Sequence, residues 1–91
     1  MNYRWLFDEE KFIYRELQGV YVIFNLNSEN YYSLDEVGNF VFSLLLEGKT
    51  TSEIEGAVSQ KYKIVDETTI KKDVRDFIRQ LQTKGMICAI T

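Results

Sequence analysis

The hydrophobic period of this chain changes once, at Leu34, and that change limits what it can fold into. Before it, "KFIYRELQGVYVIFNLNSENYYSL" is dense in Phe, Ile, Tyr and Val and is interrupted by "LQG" and "NLNSE", the pattern of strands joined by tight turns. Three antiparallel strands are expected near residues 11–16, 20–25 and 30–34. After it, Val37, Phe40, Val41, Leu44 and Leu45 follow the i, i+3, i+4, i+7, i+8 spacing of one helical face. With Asp35 as N-cap and Gly48 as stop, a first helix is expected over residues 35–47.

Thr50 and Glu53 are spaced as a capping box, and Ile54, Ala57, Val58 and Tyr62 line one face behind them, which predicts a short second helix. Only Gly48 and Lys49 separate this cap from the first helix, so the two must turn sharply, as in a helix-turn-helix pair. A third helix is expected from Asp66 as N-cap, with Ile70, Val74, Phe77, Ile78 and Leu81 inward and Gly85 ending it. The tail "MICAIT" is apolar and suits a short strand. Strands followed by helices make an α+β chain.

Ninety-one residues suffice for one domain with a single core, and no Pro/Gly/Ser-rich stretch divides them, so one domain over residues 1–91 is expected. At 45% apolar and 14% aromatic residues the chain is too hydrophobic to stay disordered. A formal charge of −3 argues against nucleic acid as its main partner. The single cysteine cannot form an internal disulfide, and "MNYRWLFDEEKF" lacks the basic start and apolar run of a signal peptide, so a cytoplasmic location is expected. The longest apolar runs, "VYVIF" and "LLL", fall far below the roughly 18 residues of a membrane span.

Catalytic chemistry has little to work with. The chain has no histidine, the commonest general base and metal ligand, and Cys88 therefore lacks the usual partner of an activated thiol. In "MICAI", Cys88 reads as a small buried hydrophobe. Most of the acidic residues fall at polar helix positions, where solvated surface charge is the ordinary outcome. The five glycines, at positions 19, 38, 48, 56 and 85, form no phosphate loop. No enzyme activity, metal or cofactor is expected.

Function must then come from surface shape. Tyr31 and Tyr32 are adjacent on a strand and point to opposite faces, so one packs on the core and the other looks elsewhere; a one-residue slip in register would exchange them. The last strand, "NYYSL", lacks the proline or lysine that often blocks an edge, and so is open to a further strand. On the third helix, with Val74 as origin, Ile70, Phe77 and Leu81 lie to one side, while Lys71, Arg75, Ile78 and Gln82 line the other shoulder. Ile78 can equally belong to a wider core stripe. Residues 67–84 carry Lys71, Lys72, Arg75, Arg79 and Lys84 against Glu67, Asp73 and Asp76, a local excess of positive charge in an acidic chain. A groove between this shoulder and the open strand would suit an extended peptide with apolar anchors and some acidic side chains.

The stretch "YYSLDEVGNFVFSLLLEGKTTSEI", followed by "KYKIVDETTIKKDVRDFIRQLQTKGMI", resembles the PqqD-like family of precursor-peptide recognition domains over residues 20–88. The positions that carry the resemblance include Leu34, Gly38, Phe42, Leu44, Leu45, Gly48, Thr50, Ile54, Asp73, Val74, Phe77, Leu81, Gly85 and Met86. "LLLEG" departs from it, being one residue longer than the family's usual "LLDG". The resemblance implies a winged helix-turn-helix-like fold, a three-stranded N-terminal antiparallel sheet packed on three helices. It also implies that the leader segment of a ribosomally made precursor peptide pairs with the third strand and packs on the third helix. Carried onto this sequence, the strand side is Asn30, Tyr31, Tyr32, Ser33 and Leu34, and the helix side is Lys71, Val74, Arg75, Ile78 and Gln82. Such a protein is no enzyme; it delivers the peptide to a separate radical-SAM protein, cyclase or leader protease.

Two other readings compete. In a DNA-binding winged helix the third helix enters the major groove, but the wing hairpin normally follows that helix, and here only six residues follow Gly85. Three acidic residues on that helix would also repel phosphates. In a small structural dimer the two open strands would pair with each other. A monomer or weak dimer is expected under the peptide-binding reading.

Overall fold

The turn between the two longest strands fixes much of the sheet. Gln18 and Gly19 both take positive φ, 54° and 82°, the pair of left-handed residues that a two-residue hairpin requires and that glycine adopts without strain. In the computed structural model, which describes residues 3–63 and 65–90, this turn joins β2 (Phe12–Leu17) to β3 (Val20–Asn25). At the next turn the Asn25 side chain accepts hydrogen bonds from the backbone of Asn27 and Ser28, and Glu29 takes the positive φ. β4 (Tyr31–Ser33) then returns antiparallel to β3, giving the sheet order β2-β3-β4.

The helices fall where the periodicity puts them: α1 (Glu36–Leu46), α2 (Thr51–Lys61) and α3 (Glu67–Thr83). All three expected N-caps are in place. Asp35 accepts from the Gly38 N–H at 2.7 Å, Thr50 and Glu53 complete a reciprocal capping box, and Asp66 accepts from Thr69 at 3.2 Å. The backbone N–H of Thr50, bonded to the Glu53 carboxylate, is the main reason that carboxyl is held below its ordinary range. Each cap satisfies N–H groups that a helix start leaves unpaired, so the boundaries are legible locally.

One pairing was not expected. Arg4–Phe7 forms a strand, β1, that pairs antiparallel with β5 (Ile87–Ile90) as a separate two-stranded sheet. Four residues beside an acidic turn carry too short a periodic signal to be seen alone; their partner lies at the far end of the chain. This pairing also corrects the reading of Cys88. Along β5 the period of two turns Ile87 inward, 3% exposed, and turns Cys88 outward opposite Leu6, so the thiol is exposed.

The core lies between the β2-β3-β4 sheet and the helices. Phe42 on α1 is its hub, fully buried, with the rings of Phe7, Tyr14 and Tyr21 edge-on to it at centroid distances of 5.7, 5.6 and 5.1 Å. Ile23, Ile54, Val58, Val74 and Met86 complete it from β3, α2, α3 and the approach to β5. Gly38 lets α1 and α3 approach closely: a Cβ there would lie 3.0 Å from the Phe77 ring. Among the described residues no helix is long and apolar enough to cross a membrane. Replacing Phe42 with Ala is expected to cost about 3 to 5 kcal/mol, the usual range for a buried aromatic truncation. Urea unfolding of the variant against the parent would measure it.

Candidate functional site

The site begins with a hydrogen bond that sets phase. The Asn25 N–H donates to the Asn30 carbonyl at 2.8 Å, in register with the pairs Phe24–Tyr31, Ile23–Tyr32 and Val22–Ser33. Bonded and non-bonded pairs alternate along an antiparallel ladder, so Tyr32 exchanges its backbone bonds with Ile23. The N–H and C=O groups of Tyr31 and Ser33 therefore point away from β3. β4 pairs with β3 alone among the described residues, which leaves those groups on an open edge.

The same register assigns the tyrosines. Tyr32 lies opposite fully buried Ile23 and packs against the core, whereas Tyr31 is 67% exposed on the outer face, its ring 6.0 Å from Phe24. The inward tyrosine is also the one at the groove. Tyr32, Leu34, Phe77 and Leu81 line a groove of about 290 Å³ between β4 and α3, and the Lys84 ammonium closes one end, 5.5 Å above the Tyr32 ring. Past Phe77 and Gln80 it continues into a second hollow of about 380 Å³, bounded by Asp35, Val37, Asp73 and Asp76. A larger open depression of about 600 Å³, with Tyr21 and Phe40 in its wall, lies by the β2–β3 turn, away from the edge of β4.

The expected site residues divide by element. Tyr32, Ser33 and Leu34 line the groove; Asn30 and Tyr31 flank it on the turn and the outer face. On α3 the expected shoulder turns the wrong way. Val74 is fully buried and Ile78 is 4% exposed, so both belong to the core. Arg75 reaches α2, where its Nε donates to the Glu55 carboxylate at 2.8 Å, and Lys71 pairs with Glu67 at 3.6 Å. Gln82 is exposed but lines neither part of the groove. The helix side of the groove is the other shoulder: Asp73, Phe77, Gln80 and Lys84, about 60° to 120° round the axis from Val74 in the opposite sense.

Glu55 held the missing signal. It lies between Ile54 and Val58 on the buried flank of α2 and is itself 7% exposed, so it needs a cation opposite. Arg75 supplies one, and with Ile70, Val74, Ile78 and Leu81 buried, the Arg75 shoulder of α3 lies toward α2 and the Phe77 shoulder toward β4. Among the described residues no group of Cys, Asp and Glu is placed to hold a metal ion.

With that geometry in hand, the chain was compared with known proteins. The family model for coenzyme PQQ synthesis protein D (PqqD) matches residues 21–87. The structure of TbiB1 in complex with the TbiA(β) leader peptide superposes with a TM-score of 0.81 at 32% identity, covering 93% of this chain and 96% of that one. Lasso peptide synthetase B1 complexed with the leader peptide superposes with a TM-score of 0.81 at 16% identity, covering 93% and 98%. That likeness is one of fold. No curated protein matches the chain.

Two predictions follow from the placement. Tyr32→Ala removes a ring packed on the core and is expected to cost about 2 kcal/mol, whereas Tyr31→Ala should stay within about 0.5 kcal/mol of the parent. Arg75→Glu leaves a buried carboxylate facing another and should cost about 1 to 3 kcal/mol, while Lys71→Glu, at an exposed pair, should cost under about 0.5 kcal/mol. Thermal unfolding resolves both contrasts, since 1 kcal/mol shifts the midpoint by about 4 to 8 °C in a domain of this size. Equal midpoints for Tyr31→Ala and Tyr32→Ala would overturn the register.

Proposed function

This chain belongs to the PqqD family, and on that premise we propose that it binds the leader segment of a ribosomally synthesised precursor peptide. The peptide adds as a strand to the open edge of β4 and sets apolar side chains against α3. The observation that carries this reading is the pairing of an unblocked edge with an apolar groove, Tyr31 and Ser33 offering backbone groups directly beside the hollow lined by Tyr32, Phe77 and Leu81. Strand addition supplies affinity through main-chain hydrogen bonds, and alternate side chains falling into a groove supply specificity. TbiB1, 32% identical over nearly its whole length, is a leader-peptide complex, and that supports the same role here.

The protein performs no chemistry in this reading. A binding chain without catalytic groups acts by presenting its peptide to a separate modifying enzyme, for which a radical-SAM protein, a cyclase and a leader protease are the candidate classes. Affinity in the nanomolar to micromolar range, about 8 to 12 kcal/mol, suits a peptide that must be held during modification and then released. The site residues proposed are Asn30, Tyr31, Tyr32, Ser33 and Leu34 on the strand side, with Phe77, Gln80 and Lys84 on the helix side.

The test is titration calorimetry with a synthetic leader peptide, beginning with the TbiA(β) leader that TbiB1 binds. Ser33→Pro removes an N–H that points to the open edge and is expected to weaken binding roughly tenfold, the scale of one or two lost hydrogen bonds. N-methylation of the leader's alternate amides should do the same from the other side, with the protein unchanged. A leader that binds equally well after both changes does not bind by strand addition.

A further inference from the structure

Because α3 runs past β4, the groove has two chemically different ends. Lys84 stands at the end where β4 begins, over the Tyr32 ring, and makes no ion pair among the described residues. Asp73 stands beside the other end, also without an ion-pair partner there. Its acidic neighbours are already engaged: Asp35 caps α1 through the Gly38 N–H, and Asp76 lies 3.8 Å from the Arg79 guanidinium. Phe77 and Gln80 occupy the span between. The groove therefore runs from an apolar stretch at Tyr32, Phe77 and Leu81, with the unpaired Lys84 at its end, to an acidic hollow in which Asp73 is the carboxylate without an ion-pair or cap partner among the described residues.

Resting on the peptide-binding reading, we propose that this polarity sets the direction and register of the bound strand. Lys84 receives a carboxylate of the peptide, and Asp73 receives a basic side chain. Eleven residues of helix, at about 1.5 Å each, separate Lys84 from Asp73 by roughly 16 Å along the axis. An extended strand covers that distance in about five residues, and side chains on one face recur every second residue. The matching peptide carries an acidic and a basic residue about four to six positions apart on the face turned to α3, with apolar residues between. A strand antiparallel to β4 has its acidic residue toward its C-terminus, and a parallel one has it toward its N-terminus. An inverted peptide brings like charges together at both ends and a slipped one leaves Lys84 and Asp73 without partners, so the groove discriminates without a further contact.

The experiment sorts a displayed library of random ten-residue peptides on the intact protein at low salt, beside Lys84→Glu and Lys84→Gln variants. Pools selected on the parent are expected to show an acidic and a basic position at a fixed separation and in one order. A selected peptide made synthetically should lose roughly tenfold in affinity on Lys84→Glu, because reversal removes one attraction and adds a repulsion of similar size. Lys84→Gln should fall between. The pool sorted on Lys84→Glu should carry a basic residue where the parent's pool was acidic, and the loss should shrink at high salt. Pools with apolar anchors but no charge preference would overturn this inference and leave peptide binding standing. Enrichment of no peptide at all would overturn both.

Discussion

The site depends on one hydrogen-bonding phase, that of the β3–β4 ladder. The bond from Asn25 to the Asn30 carbonyl decides which backbone groups of β4 face β3 and which face outward. It decides at once that Tyr32 packs inward and Tyr31 outward. A slip of one residue would put Tyr31 against Ile23 and bring different amides to the open edge. The turn enforces the phase: the Asn25 side chain holds Asn27 and Ser28, while Glu29 accepts the left-handed conformation that closes it. A short polar turn thus determines what the edge can offer a second chain.

The second constraint is rotational. A helix with a broad apolar stripe has two shoulders, and periodicity cannot say which one meets the sheet. In α3 the buried stripe of Ile70, Val74, Ile78 and Leu81 sets the rotation, and Arg75, bonded to buried Glu55, marks the shoulder that meets α2. Phe77 then comes down on the other side against Gly38, where the absence of a side chain lets α1 and α3 close. The local excess of positive charge over residues 67–84 pointed to the basic shoulder, and there Lys71 and Arg75 are engaged by carboxylates of this chain. The same error explains why Val74 and Ile78 were expected at the groove and lie in the core.

What was legible in the sequence follows from this. Elements with local signals were read within a residue or two: the three capped helices, the β2–β3 hairpin and the short last strand. Val41, Leu45, Ile54 and Leu81 could be placed in the core because neighbours three and four positions away repeat the pattern, whereas Phe42 lies off the face that the period picks out. β1 could not, since among the described residues its strand partner is β5 at the far end of the chain, and Cys88 was misread for the same reason. The open edge of β4, the strand half of the candidate site, was legible because an edge is a property of one segment. The helix half was not, because which shoulder faces β4 is a matter of packing between elements, marked by a contact between Glu55 and Arg75, twenty positions apart.

The ion pairs of α3 also bear on why the proposed partner is a peptide and not a nucleic acid. A phosphate backbone is bound by free cations along a helix, and the affinity grows with the number of phosphates neutralised. On α3, Lys71 is paired with Glu67, Arg75 with Glu55 and Arg79 with Asp76, so three of its basic side chains already face carboxylates of this same chain. Binding a polyanion through that face would mean competing with those carboxylates, one of them buried. The groove on the opposite shoulder requires no such exchange. Its wall between β4 and α3 is mainly apolar, its edge amides have no partner among the described residues, and Lys84 and Asp73, which have no ion-pair partner among them, are of opposite sign. Those features reward an extended chain that carries its own backbone hydrogen bonds and both kinds of charge, which a peptide does and a nucleic acid does not.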